Sequence, residues 1–195
     1  ITVADNGAIA GGTQSSRALL YLRRTLLNPE QRRRSVIDAM NHAASVGVTT
    51  HLDQGAFQAT NTTSDGAAHE DNYTMHIPFL EVYGEGKGIV RLRINFLHME
   101  SDPNTPELVQ RLKNAFPFFG DDMVRTGGIG EFIAQGTATT SPFAAAAKRV
   151  AQAGWRAEVH SLGRRNTPTS APADFELEIM AFEAANAEFP GIVRE

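Results

Sequence analysis

The sequence predicts an α/β fold in which parallel strands alternate with crossover helices. Two observations carry this reading. Helical stretches and short β-branched runs follow one another along the 195 residues, and glycines stand where helices should stop. The regular alternation itself implies parallel neighbours, because a parallel pair needs a long right-handed return between its strands.

Residues 1–16 are rich in Gly and Ser and read as an irregular lead-in. Leu19, Leu20, Leu22, Leu26 and Leu27 suggest a short apolar helix over 17–27. Asn28-Pro29-Glu30 then looks like a fresh helix start, with Asn as N-cap and Pro in the first turn. Val36, Ile37, Met40 and Ala44 keep helical spacing up to Gly47. The next run, Val48-Thr49-Thr50-His51-Leu52-Asp53, has strand composition and ends before Gly55.

The unit then repeats. His69 to Tyr83 reads as a helix that Pro78 should kink or interrupt, followed by a turn at Gly84, Gly86 and Gly88 and a strand over Ile89–Phe96. Thr105-Pro106-Glu107 opens a helix over 105–116, and a short glycine-broken strand lies within Met123–Phe132. Ser141-Pro142 opens a helix through Ala153, in which Ala144–Ala147 is packing surface. Gly154 ends it before the strand Trp155–His160, and a last helix spans about Asp174 to Phe189. About four such units make roughly half of an eight-stranded (β/α)₈ TIM-type barrel, which takes about 250 residues. A doubly wound open sheet is the alternative, although no strand is followed by a phosphate-cradling glycine motif. No internal domain boundary is expected within 1–195.

Composition narrows the function classes. A net charge of −4 gives no electrostatic reason to expect nucleic acid, and the arginines at 23–24, 32–34 and 164–165 read as solvated charges. The absence of cysteine removes thiolate metal sites, disulfides and cysteine nucleophiles together. No apolar run approaches the roughly 20 residues of a membrane span, and no signal segment is visible. A cytoplasmic location is therefore the expectation, with the true N-terminus expected upstream of Ile1.

In barrels the reacting groups sit at the C-terminal ends of the strands. The first strand ends in His51-x-Asp53, the third runs into Gly130-Glu131, and the fourth ends in Val159-His160. Asp53 caps a turn or takes a catalytic role, and His51 lies on the same strand face two residues earlier. Glu131, beyond a flexible strand end, can bridge metals or act as a general base, and equally can be an ion-paired structural residue. His98 and Glu100 follow the second strand and read as solvated loop residues, while His42, His69 and His76 carry no functional signal. No G-x-S-x-G elbow supports serine catalysis.

Three stretches resemble a known family. Ala43 to Gly55 is similar to the "A-x-x-x-G-V-T-T-x-x-D-x-G" stretch of the amidohydrolase superfamily, in particular its family 3 type with N-substituted formamide deformylase-like enzymes. Ala151 to Gly163 resembles that group's "A-x-x-G-W-x-x-x-x-H-x-x-G", and Asp5-x-Gly7-x-x-x-Gly11 more weakly resembles an upstream segment. The resemblance implies a barrel holding one or two divalent metal ions, most naturally zinc, that activate water to hydrolyse C–N bonds other than peptide bonds. It implies His160 and Glu131 as metal ligands, and Glu131 with Asp53 as catalytic residues.

The departures are equally specific. The family's first-strand H-x-H, its sixth-strand histidine and its eighth-strand aspartate are expected outside residues 1–195. Its strand-four lysine aligns with Arg125, which cannot be carboxylated, leaving Glu131 as the substitute. The expectation is thus an internal segment, about barrel strands two to five, of a metal-dependent amidohydrolase. Its partner is a small amide-type substrate, with neither nucleic acid nor a membrane. Four strands cut from a barrel would expose edges, so the chain is expected to be a homo-oligomer or part of a larger chain. A non-catalytic α/β small-molecule-binding module and an unrelated barrel enzyme remain as alternatives.

Overall fold

The computed structural model describes residues 2–9, 18, 21–22, 25–56, 72–134, 141–160 and 174–190. They confirm a mixed α/β chain with a parallel sheet. The chain divides into two compact units, Ile1–Thr49 with Asn61–Val90 and Thr50–Thr60 with Arg91–Glu195.

In the first unit, helix α1 (Pro29–Ser45) starts as its sequence dictates. The Asn28 side chain accepts from the Gln31 backbone amide at 2.8 Å, and the Asn28 amide donates back to Gln31 at 2.9 Å. This reciprocal box satisfies two donors that the first helical turn would otherwise leave open. Helix α2 (Asn72–Gly84) runs through Pro78 rather than breaking there. Proline forfeits one backbone bond, and packing beyond it compensates. Val82 is fully buried against Val36, Met40 and Val90, with Phe79 and Tyr83 beside them. The Tyr83 hydroxyl donates to the Val90 carbonyl, and Arg33 pairs with Glu85.

The second unit holds strands β1 (Thr50–Ala56), β2 (Arg91–Phe96) and β3 (Val124–Ile129), all parallel and in sequential order. Each strand begins one or two residues later than the composition suggested. The expected fourth strand is present as an extended segment rather than a full ladder. The Ile129 amide donates to Arg156 O at 2.8 Å, Glu158 N to Ile129 O at 2.9 Å, and His160 N to Glu131 O at 2.8 Å.

Helices α3 (Pro106–Asn114), α4 (Ser141–Gln152) and α5 (Asp174–Glu188) complete the unit. Its core combines Phe96, Leu108, Ile129, Ile133, Phe143, Val150 and Trp155. The Trp155 ring meets Phe96 edge-on at 5.9 Å between centroids, the favoured aromatic geometry. Ala146 and Ala147 are buried, as a small-residue packing face requires.

Strand alternation sorts the sheet into two faces. Leu92, Ile94 and Phe96 are buried on one. The other carries Leu52 and Gln54 from β1, Arg93 and Asn95 from β2, Arg125 and Gly127 from β3, then Arg156 and Glu158.

Glycines let the fourth segment approach β3. A Cβ on Gly128 would stand 2.6 Å from Arg156 O, and one on Gly130 would collide with Glu158 O. Gly128→Ala is therefore expected to destabilise the protein by about 1–3 kcal/mol, the usual penalty for overpacking. Chemical denaturation checks this, and an unchanged midpoint would show that the seam tolerates a side chain.

Candidate active site and its polar surroundings

The backbone seam between β3 and the fourth segment sets the geometry at the strand ends. It places His160 Nδ1 3.0 Å from Glu131 Oε2, with both side chains open to solvent at 54% and 36%. Phe132 stacks on the His160 ring at 5.9 Å with only 13° between planes, which restricts its rotation. An imidazole and a carboxylate held this close are a paired acid and base, or two donors to one ion.

Below this pair lies a denser polar network. Glu158 Oε2 accepts from Gln54 Nε2 at 2.8 Å and from Asn95 Nδ2 at 3.0 Å, while Oε1 pairs with Arg156 at 2.8 Å. Side chains from β1, β2 and the segment itself thereby converge on one carboxylate. Gly127 gives the network room, because a Cβ there would collide with Asn95 Oδ1. Beside it, a cavity of about 600 Å³ is lined by Thr50, Leu52, Arg93, Arg125, Arg156 and Glu158 among others. Burial, then the neighbouring Arg125 and Arg91 charges, lower the Arg93 pKa, so cations are crowded on this face.

A third polar cluster follows β2. His98 is 1% exposed and Glu100 8%, where solvated loop residues were expected. Glu100 is buried because it caps α3. Its two oxygens accept from the Glu107 and Leu108 amides, each at 2.7 Å. Thr105, the residue the sequence marks as the helix opener, has φ +40° and makes no side-chain cap. Its hydroxyl instead accepts from Arg149 at 2.9 Å. Burial, and then the Arg111 charge, push the His98 pKa down to about 4, leaving a neutral imidazole at pH 7. Arg111 itself lies over the Phe96 ring, 4.4 Å from its centroid.

The structure thus brings Glu131 and His160 together, but not Asp53. Asp53 pairs with Ile94 in the ladder, and alternation turns it away from the face of Gln54 and Glu158. His51 is exposed on the same side as Asp53. Arg125 stands at the start of β3, the opposite end from Glu131, with its guanidinium on Asp121 O and Asp122. His42 is exposed on α1, and His76 is buried in α2 beside Phe79. His69 and the arginines at 23–24 and 164–165 lie outside the described residues, as do Gly11 and the end of the second resembling stretch, 161–163.

Sequence reasoning missed Glu158 and Gln54. The strand period alone would place Glu158 on the His160 face, but nothing in the sequence signals that Gln54 and Asn95 converge on it. Comparison of the chain with protein-family models, curated proteins and solved structures finds no match.

Replacing Glu158 by Ala would remove the acceptor shared by the Gln54 and Asn95 amides and the carboxylate paired with Arg156. The expected loss is about 2–3 kcal/mol, moderated by partial solvent access. A denaturation double-mutant cycle with Arg156→Ala should show positive coupling. Strict additivity would mean that the network holds nothing together.

Proposed function

We propose that this chain forms part of the barrel of a metal-dependent hydrolase of the amidohydrolase type, acting on C–N bonds other than peptide bonds. The observation that carries the reading is the Glu131–His160 pair, just beyond β3 and at the end of the extended segment beside it, 3.0 Å apart and accessible. Sequential parallel strand order is what a barrel requires, since a barrel advances strand by strand in one direction. A small-molecule amide fits such a strand-end site.

The residues fit a divalent ion. One imidazole and one carboxylate converge, His160 is solvent-accessible, and Phe132 stacked on its ring fixes the ligand's orientation. His160 would hold the ion through its ring and Glu131 through one carboxylate oxygen, with zinc the best match to this donor pair. A bound ion supplies Lewis-acid polarisation and lowers the pKa of water to about 7. Glu131 accepts the proton of the attacking water through its free oxygen and passes it to the departing nitrogen as the C–N bond breaks. Glu158, below the pair, orients Gln54 and Asn95 and so shapes the floor. Asp53 has no part in this step.

One observation favours the rival reading of a non-catalytic binding module. The 600 Å³ cavity carries three arginines against one carboxylate, which suits an anionic small molecule.

Hydrolysis separates the two readings. In the zinc-loaded protein that carries this chain, N-formyl and N-acyl amides should be cleaved. His160→Ala should lower hydrolysis about 100-fold or more and reduce bound metal together with it. Glu131→Gln should lower hydrolysis more than metal content. Full activity with His160→Ala would overturn the reading, and anion binding without any turnover would favour the module.

A further inference from the structure

We propose that His98, Glu100 and Glu107 form a second divalent-metal site, separate from the Glu131–His160 pair. Their ligand atoms all lie within 4.8 Å of one another, and His98 Nδ1 stands 3.8 Å from Glu100 Oε2. That spacing is too long for a hydrogen bond but suits two ligands of one ion.

The burial of His98 is the independent observation. Its side chain has no solvent exposure, and neither ring nitrogen has a hydrogen-bond partner among the described residues. An imidazole buried in this way forfeits its hydration without compensation. Capping of α3 explains why Glu100 is inside; it does not explain His98. An ion on Nδ1 would satisfy that nitrogen, and each Glu100 oxygen still has a lone pair beyond the one used by the helix amides.

Ligand chemistry selects the ion. One imidazole and two carboxylates suit zinc or a similar borderline dication, whereas calcium needs six to eight oxygens. Two carboxylates balance a doubly charged ion in the presence of the nearby Arg111. Glu107 is only half buried and lines a cavity of about 420 Å³ with Pro106, Gln110, Arg111 and Asn114, which gives an ion a way in. The bound ion would tie the segment after β2 to the first turn of α3.

Zinc alone is the probe, and the mouth pair is removed so that the two sites are read separately. In the His160→Ala, Glu131→Gln double variant, metal analysis after dialysis should still find about one zinc per chain. Adding Glu107→Gln should weaken zinc binding at least about 10-fold, and adding His98→Gln should abolish it. Should His98→Gln fail to fold, Glu107→Gln decides the matter, because its half-buried side chain can change without emptying the core. Loss of all zinc from the double variant, or retention unaffected by Glu107→Gln, overturns this site. Either result leaves the hydrolase reading to stand or fall on His160.

Discussion

Everything at the candidate active site depends on how closely the segment 155–160 lies against β3. Its backbone bonds run from Ile129 to Arg156, from Glu158 to Ile129 and from His160 to Glu131. The last of these sets Glu131 and His160 side by side, and the same register carries Glu158 under Gln54 and Asn95. The approach is available only because Gly128 and Gly130 present no Cβ to the neighbouring carbonyls. Anchoring comes from the other face. Trp155, at the start of the segment, is buried against Phe96 of β2 in the unit's core. An apolar contact on one side of the sheet thus fixes a polar constellation on the other.

Much of the fold was legible in the sequence because its signals are local. Asn28-Pro29 with Gln31 gives a helix start that the structure reproduces, and β-branched runs after Gly47 and Gly88 mark real strands. The failures have non-local causes. Pro78 is tolerated because Val82 and its neighbours pack after it, and Glu100 caps α3 from outside the helix's own first turns. Neither fact is written at the position concerned.

The candidate site divides along the same line. Glu131 and His160 were visible because strand ends in alternating folds gather function. Their 3.0 Å separation follows from a glycine seam that pattern alone does not specify. His98 and Glu100 were read as loop residues because a segment after a strand is normally solvated; the core around Phe96 and Leu108 encloses them instead.

On the proposed reading, the β3 seam assembles a metal-binding pair from Glu131 and His160. A crystal soaked in zinc and measured at the zinc absorption edge tests it most directly. An anomalous peak joining the His160 ring and the Glu131 carboxylate is expected, with Phe132 still stacked on the ring. An empty position between those two side chains, at a zinc concentration that saturates the protein in solution, would contradict it.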